Sequence, residues 1–224
     1  LAEARERGVE SKIKQALERA ANLKVLIIGD AIIDEYQYVQ SMGKSAKENM
    51  IATRFHSSEL FAGGVFAAAN HIASICNEVE IMSVLGTVDS HENLIRDHLA
   101  SNVTLTPFFR EGAPTTRKCR FVSMGYLRKL FEIYHFEDTL IPESVRDQLI
   151  AEIRKKSNDF DLIVVADFGH GMLDSKSIEA IAETGKFLCV NTQTNSANHG
   201  YNLVTKYDRA DFICIDAPEA QLAA

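Results

Sequence analysis

No apolar run in this 224-residue chain approaches the ~18 residues that a membrane-spanning helix needs. No block dense in lysine and arginine is present. The 24 basic residues are spread among 31 acidic ones for a net charge of −7, so no nucleic-acid partner is expected. The four cysteines, Cys76, Cys119, Cys189 and Cys214, lie far apart without a C-x-x-C pair, which argues against a metal site built from them. They read as reduced and buried, the state expected in the cytoplasm. The N-terminus shows no signal peptide, being charged and helical in pattern. No internal repeat or low-complexity stretch occurs, and no Ser-His-Asp arrangement has local context. His56, His71, His91, His98, His135 and His199 lack metal-ligand spacing.

What the chain does have is five short apolar runs, each ending in a polar cluster. Lys24 to Gly29 leads to Asp30 and Asp34, and Val79 to Gly86 leads to Asp89. Asp161 to Ala166 leads to Asp167, Phe168, Gly169, His170 and Gly171. Phe187 to Val190 leads to Asn191, Thr192 and Gln193, and Asp211 to Ile215 leads to Asp216 and Glu219. Continuous apolar runs of this length suit strands covered on both faces. Ligands of open α/β sheets bind at the carboxyl ends of such strands, so the five clusters are expected along one rim.

Between the runs lie helical patterns. Residues 2–22 read as a thin-striped N-terminal linking helix. Gly63 and Gly64 open an alanine-rich helix, and further helices are expected at 91–100, 142–156 and 175–184. Residues 36–61 and 103–136 have strand character instead, and both are expected in one small β layer that closes over the rim. The fold expected is α/β: a three-layer, Rossmann-like, mostly parallel sheet with helices on both faces and a small inserted β lid. Exposed lid edges, with Ile51, Phe55, Phe108, Phe121 and Phe131 for apolar contact, would suit a homodimer.

These stretches, in this order, resemble the ribokinase-like carbohydrate kinases of the phosphofructokinase-B type, nearest the branch that phosphorylates heptose phosphates. Val25 to Asp34 is similar to that family's first strand and sugar-holding aspartate. Ala62 to Asn70 resembles its glycine-pair helix start, and Pro114 to Arg120 its lid strand. Val165 to Gly171 resembles its Asp-Tyr-x-Lys-Gly stretch, and Asp216 to Glu219 its Asn-x-x-Glu motif. Departures accompany the likeness. Ala67 and Ala68 stand where the family has an asparagine, with Asn70 a turn away. Val88 replaces a glycine, His170 a lysine, and Asn191 and Gln193 a charged pair. The resemblance implies a domain over 23–224 that is C-terminally truncated, with the catalytic aspartate and adenine pocket beyond Ala224. It implies ATP and Mg²⁺ as cofactors and a sugar or sugar phosphate as acceptor.

On this reading Asp30 and Asp34 hold sugar hydroxyls, Gly63 and Gly64 allow close backbone approach, and Asn70 reaches the same hydroxyls. Lys118 and Arg120, two apart on a strand, share a face and could clamp a phosphate on the sugar. Asp167 could orient substrate. Asn191, Gln193, Asp216 and Glu219 would lie toward nucleotide and metal. Each residue also has a plainer role open to it: strand-end bonding for Asp30, a solvated face for Lys118, a capping box for Asp216 and Glu219. A non-catalytic sugar-phosphate-binding domain of a larger protein, fused to a nucleotidyltransferase, is the alternative function.

Overall fold

Residues 9–45, 47–196 and 198–224 are described by the computed structural model. The first element, α1 (Val9–Ala21), buries no residue, as its thin apolar stripe dictates. Residues 2–8 of the expected helix lie outside the described residues. At the end of α1, Asn77 N donates to Ala21 O at 3.0 Å and ties the helix to the body.

The chain continues through β1 (Lys24–Gly29), β2 (Ala31–Lys44), β3 (Ile51–Gly64), α2 (Val65–Ala73), β4 (Glu78–Val88), α3 (Glu92–His98) and β5 (Val103–Pro114). It then forms β6 (Arg117–Ser123), β7 (Arg128–His135), α4 (Glu143–Lys156), β8 (Leu162–Asp167), α5 (Ser175–Glu183), β9 (Phe187–Thr192), β10 (Phe212–Ile213) and α6 (Ala217–Ala223). Six strands make the main sheet in the order β10-β9-β8-β1-β4-β5, and every pairing in it is parallel. The five sequence runs are thus strands of one sheet, and their carboxyl ends share one edge.

Side chains of β1 alternate between two cores. Leu26 and Ile28 pack with Leu149, Ile153, Ile178 and Ile181 of α4 and α5, whereas Val25 and Ile27 pack with Val65, Phe66, Ala69 and Ile95 of α2 and α3. Both faces of the central strand are apolar because both are covered. Toward the β10 edge the cover thins. Phe212 and Ile213 are exposed, and so is Cys214, which corrects the reading of all four cysteines as buried. Cys76 and Cys119 are buried, and all four cysteines are free.

The second sheet has four strands in the order β3-β2-β6-β7, with β2 parallel to β6 and the other pairs antiparallel. It corresponds to the expected lid, with one correction. The first third of 103–136 does not belong to it: Val103–Pro114 pairs in parallel with β4 and forms the far edge of the main sheet. Leu105 and Phe108 are buried there, so Phe108 has no part in an exposed lid face. Strand character is a local property, whereas the choice of sheet depends on which partner surface the strand covers.

The lid springs from the rim without a loop. β1 ends at Gly29, Asp30 follows, and β2 begins at Ala31. The hairpin returns at Gly64, where Val65 N donates to Asp30 O at 3.2 Å and closes its base. Gly64 has φ of +55°, and a Cβ there would stand 2.7 Å from Asp30 O, so both conformation and space require glycine.

Candidate active site

One face of the lid looks into the cleft above the rim. On β2 it carries Asp34 and Tyr36, which register against Lys118 and Arg120 of β6, and these register against Tyr134 and Glu132 of β7. Lys118 and Arg120 do share a face, as their spacing demands. The structure then separates their roles. Arg120 bonds the Asp34 carboxylate directly, lies 3.4 Å from Glu132 and sits over the Tyr36 ring at 5.5 Å. Lys118 is buried at 4% exposure. Its ammonium lies 5.3 Å from the Tyr134 ring, and the Asp34, Glu132 and Asp30 carboxylates act on it without a direct ion pair among the described residues. Burial, and then Arg120, push its ammonium below the usual lysine range.

Asp34, Gly63 and Asn70 come together as expected, around an open cleft of about 480 Å³ that Tyr36, Phe61, Ala67, His71 and His98 complete. The Asp34 carboxylate hangs directly over Gly63, and any Cβ at that position would collide with it. Asn70 contributes less than expected. Its amide donates to His98 O at 2.8 Å and accepts from Ala100 N at 2.9 Å, tying α2 to the turn after α3. The aromatic wall, with Tyr36 edge-on to Phe61 at 5.9 Å, was not foreseen. Its only signal in the sequence is position: the two residues flank the lid hairpin two steps from Asp34 and Gly63.

Gly63→Ala is a direct test of this arrangement. The colliding atoms are the end of a flexible side chain, so Asp34 is expected to swing aside while the fold persists. Sugar affinity is expected to fall about 10–100-fold, with the melting temperature within a few degrees of wild type. Titration calorimetry and thermal melts of one sample check both halves.

Asp30 and Asp167 do not line that cleft. Asp30 is buried beneath the rim and accepts Phe168 N at 2.7 Å. Burial, then the neighbouring Asp167, raise its pKa to about 7. Asp167 is held by Tyr207 Oη at 2.6 Å, Lys206 Nζ at 2.5 Å, Asn202 Nδ2 at 3.2 Å and Gly169 N at 3.0 Å. Its lone pairs are spent on an internal network. Burial and Asp167 together raise the Tyr207 hydroxyl well above the ordinary tyrosine range.

His170 sits in the same loop under the lid. Both of its ring nitrogens are buried without a hydrogen-bond partner, and its ring stands edge-on to Phe136 at 5.5 Å. Burial, and then the Lys118 charge, lower its pKa to about 4.

The last cluster forms a capping box. Asp216 Oδ1 accepts Glu219 N at 2.8 Å, and Glu219 Oε2 accepts Asp216 N at 2.9 Å. The other Glu219 oxygen accepts Thr194 N at 2.9 Å, fastening α6 to the loop after β9. Asn191 donates to Cys214 O at 2.7 Å, and Gln193 is exposed. With Glu219 so occupied, and no cluster of three metal-ligating side chains among the described residues, these residues do not fit a Mg²⁺ ligand set.

No family model matches the chain. Carbohydrate kinases of known structure share its fold. A carbohydrate kinase from Agrobacterium tumefaciens superimposes with a TM-score of 0.60 at 15% identity, covering 90% of this chain and 63% of that one. The phosphofructokinase-2 from Escherichia coli, in its tetrameric inhibited form, gives 0.60 at 13% identity over 90% of this chain and 64% of that one. In sequence the chain is similar to the bifunctional protein HldE. It is 24% identical to that of Citrifermentans bemidjiense over 214 residues, 95% of this chain and 43% of the relative. It is 26% identical to that of Hyphomonas neptunium over 179 residues, 78% and 36%. The chain therefore spans about two fifths of the length of these relatives.

Proposed function

We propose that this chain is the acceptor-binding part of a carbohydrate kinase that moves the γ-phosphoryl of ATP to a sugar or sugar phosphate of the heptose-phosphate type. The observation that carries this reading is the Asp34 carboxylate, poised over Gly63 at the mouth of a cleft between rim and lid. A carboxylate offers two oxygens to adjacent hydroxyls and so fixes the orientation of a polyol. The Arg120 guanidinium bonds the Asp34 carboxylate and holds its orientation. Tyr36 and Phe61 give the apolar face of a sugar ring a wall to lie against. A lid that closes over the bound acceptor would exclude water and suppress transfer to water instead of sugar.

Phosphoryl transfer depends chiefly on positioning and charge stabilisation. ATP and Mg²⁺ are taken from the resemblance. Asn191, Gln193, Asp216 and Glu219 would face them by shaping the loop after β9 rather than as ligands. The resemblance assigns the base that deprotonates the acceptor to an aspartate outside residues 1–224. A cytoplasmic location agrees with four free cysteines, and no described helix is long and apolar enough to cross a membrane.

The test is transfer from ATP to a panel of heptose and hexose phosphates by the intact protein, read by product mass. Product with at least one sugar phosphate is expected, and none from residues 1–224 alone. Binding without transfer would favour the second reading, a non-catalytic sugar-phosphate domain, to which the uncharged Asn191 and Gln193 also point. The lid's outer surface supports a homodimer, with Ile51 64%, Phe55 59% and Phe131 53% exposed. Phe55→Glu is expected to shift a dimer to monomer in gel filtration, and a wild-type monomer at every concentration would sink that part.

A further inference from the structure

We propose that a narrow pocket at the base of the lid is an internal water site, in which one or two waters bonded to the His170 ring tie the lid's connecting segments to the loop after β8. The pocket lies at the carboxyl ends of β1 and β4. Among the described residues it shares no wall with the open cleft under Asp34.

Its place follows from the route of the chain. Among the described residues the chain passes between the main sheet and the lid four times, at β1–β2, β3–α2, β5–β6 and β7–α4. Three of these passages line the pocket: Asp30 and Ala31 in the first, Pro114 and Thr116 in the third, and Glu137 in the fourth. The loop after β8 adds His170. A group held there therefore touches the hinge of the lid on most of its sides.

His170 marks the need for such a group. It is 9% exposed, and neither ring nitrogen has a hydrogen-bond partner. Buried polar atoms are almost always satisfied, by protein or by ordered water. A neutral imidazole presents one donor and one acceptor. Phe136, next to Glu137 in the fourth passage, stands edge-on to the ring at 5.5 Å and limits its movement. Across the pocket, Asp30 accepts Phe168 N at 2.7 Å, and a carboxyl group has bonding positions beyond that one.

Size and charge choose the occupant. The pocket offers about 30 Å³, and one water takes at least about 10–15 Å³ of such room. One or two waters fit, whereas a phosphate group or a sugar ring does not. Charge also argues against an anion. Asp30 and Glu137 line the pocket, and the Arg110 guanidinium beside them is engaged by Thr139 O at 3.0 Å and Thr139 Oγ1 at 2.5 Å. Apolar cavities stay dry, but a cavity of this size with several polar groups in its wall holds water. Such a water bonds as well as a direct partner does and joins groups too far apart to meet.

The experiment combines a crystal structure of the intact protein, at a resolution that shows ordered water, with amide hydrogen exchange. A water is expected within hydrogen-bond distance of a His170 ring nitrogen and of Asp30. A dry pocket, or ring nitrogens bonded to protein alone, would overturn the proposal. The hinge is read at Ile33, whose N–H is accepted by Thr116 O at 2.8 Å. His170→Phe keeps a ring but no polar atom, so it is expected to lose the water. Its Ile33 amide should exchange about ten-fold faster, with Leu26 in the main sheet unchanged. His170→Gln keeps a donor and an acceptor and should retain both the water and the protection. If His170→Phe does not fold, His170→Leu takes its place. Equal protection of Ile33 in all the proteins, or equal loss in the apolar and Gln variants, would overturn the tie to the lid. The kinase reading stands or falls separately, on acceptor binding in the cleft under Asp34.

Discussion

Asp34→Asn in the intact protein weakens sugar binding about 10²–10⁴-fold. The estimate takes two charge-assisted hydrogen bonds at about 1.5–3 kcal/mol each, with 1.4 kcal/mol per decade of affinity. Asn keeps the shape of Asp34 but exchanges one acceptor oxygen for a donor and removes the charge. It would leave Arg120 with Glu132 alone, at 3.4 Å. The stability cost of that half-lost pair is about 1–3 kcal/mol, visible as a lower urea midpoint but not as unfolding. Calorimetric titration of wild type and variant separates the two effects, since the binding loss exceeds the stability loss. Equal affinities would mean that Asp34 only holds Arg120 in place, and the acceptor site would have to be sought elsewhere.

A second large effect should appear in the dependence of stability on pH. Asp30 holds its proton in the native state up to about pH 7, against 3.8 for an ordinary aspartate. The native state therefore carries an extra proton across that window, and raising the pH through it removes stability. His170 works in the opposite sense. It protonates at about 4 in the native state and at 6.5 when unfolded, so stability is lost as the pH falls from 6.5 toward 4. Each contributes up to about 1.4 kcal/mol per pH unit within its window, and the two oppose each other where the windows overlap.

Wild type is therefore expected to be nearly flat from about pH 4 to 6.5, with a decline beginning above it. His170→Gln removes the rising contribution and should lose stability steadily as the pH rises from 4 to 7. Asp30→Asn removes the falling one and should gain stability up to about 6.5. Urea midpoints at four pH values for the three proteins read this directly. Parallel profiles in all three would show that neither group is shifted by its surroundings.

Much of this was legible before the structure. The run from Val25 to Gly29 announced a strand covered on both sides, because successive apolar positions are stable in a strand only where both of its faces are buried. Asp216 and Glu219 announced a capping box, because that motif is closed by residues three apart. Residues 103–114 were read as a strand but assigned to the wrong sheet. Nothing in Val103–Pro114 records that β4, rather than β6, offers the free edge beside it.

The candidate site divides the same way. Sequence alone determined the apolar strands, the glycine pair and the shared face of Lys118 and Arg120, all consequences of patterns that act within a few residues, whereas the strand order came from the fold. Only the tertiary structure decided which carboxylate is open to a ligand. Asp34 lies over Gly63 in the cleft, whereas Asp30 and Asp167 are turned inward to Phe168, Tyr207 and Lys206. It also decided that Arg120 is answered by Asp34, 86 positions away, that Lys118 lies against the Tyr134 ring, and that the His170 ring nitrogens have no hydrogen-bond partner among the described residues. Charge and burial are set by what the folded chain brings alongside a residue, and that information is spread over the whole sequence.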